Sequence, residues 1–135
     1  LGDNGSYVIS AFMSIYIITF INQNNSASPL LALNLLWYPA FENLFTIIRR
    51  IVANKKIQLA DRSHLHILIL ERISNEKNFK FSNSLTGIIL NSIMFLGIYL
   101  SSNFYDDVKI LILILLINIS LYIIAYYYFS LKRKN

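Results

Sequence analysis

Cysteine is absent from the 135 residues, which excludes disulfides and thiolate metal sites. Charge is scarce as well. Asp, Glu, Lys and Arg make up 14% of the chain, whereas soluble domains run at about a quarter. A chain so poor in charge cannot cover a globule with polar surface. No basic region precedes the first apolar stretch and no small-residue cleavage site follows it, so it does not read as a signal peptide. Internal repeats and low-complexity linkers are also missing. What remains is apolar: 56% of residues are hydrophobic, and mean hydropathy is positive. These features place the chain in the membrane class.

Four apolar segments stand out, at residues 7–21, 29–48, 84–100 and 108–129. At about 1.5 Å rise per residue, each reaches across, or nearly across, a hydrocarbon layer of about 30 Å. Backbone groups in lipid must bond within their own segment, so helices are expected. The expected fold is therefore an all-α integral membrane protein of about four transmembrane helices. Pro39 should kink the second segment, because it removes a donor and crowds the preceding turn.

The net charge of +5 could suggest nucleic acid. That would require a basic face or stripe. Instead eight of the twelve basic residues fall at 49–83, from Arg49 and Arg50 to Lys77 and Lys80, and Lys132, Arg133 and Lys134 close the chain. Lys and Arg favour the cytoplasmic side of a membrane. The 49–83 loop and the C-terminus are thus expected inside, with the short loops near 22–28 and 103–107 outside. No nucleic-acid partner is expected; the bilayer is.

Three stretches could carry chemistry. In "GDNGS", Gly2 and Gly5 permit positive φ, and Asp3 and Asn4 favour turns. The stretch reads either as a polar turn capped by Asn4 or Ser6, or as a carboxylate at the membrane surface where Mg²⁺ and a phosphate meet. In "ADRSHLHILILERI", Asp61 or Ser63 is expected to cap a helix running to Ile73. Its apolar residues recur at helical spacing, so it can lie in the cytoplasmic interface. His64 and His66 fall at its start. Their i, i+2 spacing disfavours the two-histidine zinc site built at i, i+4. Contact with an anion at the helix N-terminus, assisted by Arg62, is the functional reading, and a plain amphipathic surface helix the bland one. Glu42 is the one acid within an apolar segment. It reads either as a functional group or as a partner of Arg49 or Arg50, which themselves read first as positive-inside anchors.

Taken together, "LGDNGS" at 1–6, "PAFENLFTIIRR" and "DRSHLH" at 61–66 resemble the polyprenyl-phosphate N-acetylhexosamine-1-phosphate transferases, a family that includes the bacterial undecaprenyl-phosphate GlcNAc-1-phosphate transferases. The resemblance covers essentially the whole chain, and it rests on the combination and order of the motifs. It implies a multi-pass enzyme of the bacterial cytoplasmic membrane with a cytoplasmic active site. Such an enzyme moves a sugar-1-phosphate from a UDP-sugar to a polyprenyl phosphate with Mg²⁺ (Mn²⁺ as substitute) and releases UMP in cell-envelope glycan synthesis, lipopolysaccharide among others.

By the same resemblance, Asp3 in its turn of Gly2, Gly5 and Ser6 is a metal ligand. Arg62, His64 and His66 bind the nucleotide sugar, with Glu42, Arg49 and Arg50 as further candidates. Two positions depart from the family pattern. Ile67 stands where GlcNAc-type members carry a third histidine, and Glu42 replaces the usual aspartate. Family members carry a paired-aspartate motif and several helices upstream of the "GD-x-GS" turn. The chain is therefore expected to be the C-terminal part of a larger enzyme, inactive alone and with no assignable catalytic residue of its own. A homodimer is one expected assembly. The competing reading is a non-catalytic membrane subunit or transporter fragment.

Overall fold

The computed structural model describes residues 2–54, 63–74 and 79–133. Among them the fold is all-helical: α1 (Gly2–Gln23), α2 (Leu30–Leu35), α3 (Trp37–Val52), α4 (Leu65–Ile73), α5 (Phe79–Asn103) and α6 (Val108–Arg133).

Two helices are long and apolar enough to cross a membrane, over Lys80–Asn103 and Val108–Leu131. Only 17% of each is buried inside the protein, which separates them from the core helices of a soluble domain. The expected four spans reduce to these two on length and composition. The apolar part of α1, Tyr7–Gln23, is shorter. Its large side chains, including Tyr7, Phe12 and Tyr16, are mostly exposed, while Ile17 is buried. The second expected span is not one helix. It breaks at Leu36, whose backbone leaves helical geometry at φ −107° and ψ 9°. Pro39 follows in the first turn of α3, where its missing N–H costs least. The expected kink thus takes the form of a break three residues upstream of the proline.

α5 and α6 form an antiparallel hairpin. Asp107 stops the turn and starts α6, its Oδ1 accepting the N–H groups of Lys109 (2.9 Å) and Ile110 (3.1 Å). The helices approach closely where Gly97 faces Asn118. A Cβ at Gly97 would stand 2.8 Å from Asn118 Nδ2. At the same end, α2 packs on both helices, and buried Asn34 donates to the Leu111 carbonyl at 3.1 Å. The Ser28 N–H donates to the Tyr105 carbonyl at 2.8 Å, which joins the two short loops.

The expected interfacial helix is α4, and it ends at Ile73 as its periodicity predicts. It does not lie flat across the end of the bundle. The Ser82 hydroxyl, in the first turn of α5, reaches the Ile73 carbonyl at 3.4 Å, while Leu65 lines a cavity together with Leu90 and Ile93. Ile73 to Leu65 and Ser82 to Leu90 are each about 12 Å along a helix axis, so α4 runs beside α5 in the opposite direction. Its N-terminus is the deep end. The reason is its apolar face: Leu65, Leu68 and Ile69 join Trp37, Tyr122 and Tyr126 in the core. Burying such a face is worth about 1.5–3 kcal/mol per large side chain.

Candidate functional site

The deep end of α4 meets the middle of α3. Glu42 lies about 15 Å along the axis from the C-terminal end of α3, and it is only 7% exposed. Its Oε1 accepts the backbone N–H of Leu65 at 3.1 Å and lies 3.1 Å from His64 Nδ1. A carboxylate only accepts, so Nδ1 carries the proton of this bond. One oxygen thus satisfies the first backbone donor of α4 and holds the imidazole beside it. The negative charge also sits at the positive end of the helix dipole.

This arrangement revises the expected cap. Ser63 does not provide it and Asp61 lies outside the described residues. The N-cap position belongs to His64, which makes no side-chain cap bond. The cap comes from another helix. Thr46, one turn beyond Glu42 on α3, places Oγ1 3.4 Å from the same His64 nitrogen. The hydroxyls of Tyr38 and Tyr122 lie close to the Glu42 carboxylate.

His66 is exposed, and its ring stacks on His64 with centroids 5.6 Å apart and planes 15° from parallel. The i, i+2 spacing separates two residues on a regular helix. Here His64 precedes the helix in extended geometry (φ −71°, ψ 147°), and that brings the rings together. The pair presents a partly exposed imidazole face at the N-terminus of a half-buried helix. Such an end, with its N–H groups and dipole, favours anions.

Arg49 and Arg50 occupy the last turn of α3, where cations complement the dipole. The Arg49 guanidinium lies over the Tyr126 ring at 5.8 Å, and Arg50 is buried. Arg62 lies outside the described residues. Gly2 to Ser6 form the first turns of α1, so the expected glycine turn is helical; the side chains of Asp3 and Ser6 lie outside the description. The structure therefore brings Glu42 and the two histidines together, with Thr46 and two tyrosines unforeseen in the sequence. Among the described residues no group of three or more His, Asp or Glu side chains could hold a metal ion.

One comparison bears on this site. The chain is 28% identical over 105 residues to the undecaprenyl-phosphate alpha-N-acetylglucosaminyl 1-phosphate transferase of Thermotoga maritima, which covers 78% of this chain and 33% of the relative. The chain thus spans about a third of the length of the curated relative it matches. No protein-family model matches the chain, and no solved structure matches it significantly.

Proposed function

We propose that this chain is part of a membrane enzyme that transfers a sugar-1-phosphate, GlcNAc-1-phosphate by the type of its histidine motif, from a UDP-sugar to a polyprenyl phosphate. The observation that carries this reading is the stacked pair of His64 and His66 at the N-terminus of α4. The order of the sequence motifs and the similarity to the Thermotoga maritima transferase support it.

The proposed chemistry is phosphoryl transfer. An oxygen of the polyprenyl phosphate attacks the sugar-linked β-phosphorus of the donor. The bond from that phosphorus to the bridging oxygen breaks, and UMP leaves with the electron pair. Little covalent work falls to the protein in such reactions; positioning and charge neutralisation dominate. His64 and His66 supply donors to the diphosphate beside the helix N-terminus, with Arg62 adding positive charge. Glu42 holds His64 in place. Arg49 and Arg50 set a positive potential on the same side and anchor the cytoplasmic end of α3.

Mg²⁺ belongs to the proposal through Asp3, since the ion takes hard oxygen ligands and commonly pairs one or two carboxylates with substrate phosphates. It would supply neutralisation of the diphosphate charge. The proposed setting is the cytoplasmic face of a bacterial inner membrane.

The test is release of UMP from UDP-GlcNAc by the protein expressed from its native gene, in vesicles containing undecaprenyl phosphate. Release that requires both the lipid phosphate and Mg²⁺ is expected. A protein that binds neither UDP-GlcNAc nor UMP points to a non-catalytic membrane subunit instead.

A further inference from the structure

Glu42 uses one oxygen for two partners. Its Oε1 lies 3.1 Å from His64 Nδ1 and 3.1 Å from the Leu65 nitrogen. The rest of the group is enclosed: Oε2 is buried, with the hydroxyls of Tyr38 and Tyr122 beside the carboxylate and Leu65 of α4 packed in the same core. A cap alone needs no charge, because asparagine, serine and aspartate cap helices about equally well. Burying a carboxylate is costly unless it is well partnered. A second task explains why a carboxylate stands here.

We propose that Glu42 is a positioning residue. It fixes the tautomer and the tilt of the His64 ring, so that in the protonated ring Nε2–H is the donor left for an anionic ligand, while the neutral ring presents only a lone pair there. The reason is directional. With Nδ1 engaged as donor to a carboxylate, the neutral ring carries no proton on Nε2, and the protonated ring offers Nε2–H as its one unengaged donor. Thr46 Oγ1 at 3.4 Å restrains the same edge of the ring, and His66 restrains its face by stacking. Three contacts from two elements thus set one imidazole, as second partners do for histidines that bind metals. That the ligand is a nucleotide diphosphate rests on the transferase reading; the positioning itself does not.

Two measurements on the protein expressed from its native gene test this. The first is nitrogen-15 NMR of histidine-labelled protein, with His64 assigned by loss of its signals in His64→Gln. Above the titration range, a protonated Nδ1 and a bare Nε2 are expected. Glu42→Gln keeps the shape and a capping oxygen, but its amide can also donate to Nδ1, so a mixture of tautomers is expected. The second is calorimetric binding of UMP, which Glu42→Gln should weaken about tenfold or more with little change in melting temperature.

A wild-type His64 protonated at Nε2 when neutral overturns the proposal, whatever the yield of the variant. So does a Glu42→Gln protein with unchanged tautomer and unchanged UMP affinity, which leaves Glu42 as a cap only. If the tautomer follows Glu42 but the wild-type protein binds no UMP, the positioning role stands and the transferase reading falls.

Discussion

The Ser28 N–H donates to the Tyr105 carbonyl at 2.8 Å, across seventy-seven positions of sequence. This bond ties the loop after α1 to the turn between α5 and α6, so both lie at one end. Asn54 lies just past the C-terminus of α3, in left-handed geometry at φ 52°, at the other end. Single cysteines at Asn25 and Asp106 should therefore react with an impermeant thiol reagent from one side of the membrane, and one at Asn54 from the other. The absence of native cysteine within these 135 residues keeps the labelling clean. Reaction of Asn54 and Asp106 positions from the same side would refute the arrangement.

Asp3→Asn should nearly abolish transfer while the protein stays folded. With α1 beginning at Gly2, the substitution removes a negative charge from the first helical turn, worth about 0.3–1 kcal/mol. Loss of a metal ligand would cost several kcal/mol in the transition state, or orders of magnitude in rate. Mg²⁺-dependent UMP release, measured beside thermal stability, separates the two. A near-normal rate takes Asp3 out of the site.

His66→Ala should weaken use of the UDP-sugar with stability almost unchanged, because His66 is exposed. His64→Ala should do the same and also lower stability by about 1–3 kcal/mol, since it strips Glu42 of a buried partner. Steady-state kinetics and denaturation of both variants check this. Unchanged kinetics in both leave the pair as surface decoration.

Gly97→Ala should loosen the hairpin of α5 and α6. The new methyl group would stand 2.8 Å from the Asn118 amide, the end of a side chain that borders a cavity, so the cost should fall at the low end for overpacking, about 1 kcal/mol. Asn118 Nδ2 is buried without a hydrogen bond, so Asn118→Ala should cost less. Combined, the two changes should be better tolerated than their sum, a coupling visible in a double-mutant cycle of melting temperatures. Strict additivity would show that the contact is not felt.

Much of this fold is legible in the chain because lipid-facing helices write themselves as uninterrupted apolar runs. Val108 opens both the expected fourth segment and α6, and Ile73 ends α4 where the periodicity stops. The break within the second segment is not legible there, because hydropathy averages over it. Leu36 is as apolar as its neighbours, and only Pro39 signals trouble.

The site was legible as residue types and not as geometry. His64 and His66 look separated at i, i+2 until one of them leaves the helix. The cap was sought locally, at Asp61 or Ser63, because local capping is the usual rule. Glu42 lies twenty-two residues before His64, a separation that no local signal spans. Thr46 carried a faint signal, since it shares a face of α3 with Glu42 at i, i+4. Tyr122 carried none.

The depth of the N-terminus of α4 has a consequence for the bilayer. A carboxylate and two imidazoles sit level with the middle of α3, about 16 Å beneath the point where α5 begins. If α5 and α6 cross a membrane, hydrocarbon at that level would oppose them by several kcal/mol per charged group. Water must then follow the polar groups inward, and lipid beside α3 and α4 must dip to meet it. In such a membrane the leaflet would thin locally there, and a headgroup phosphate would reach the histidines while its tail stays in oil. The protein would draw the membrane toward its buried polar groups instead of lifting lipid out to meet them.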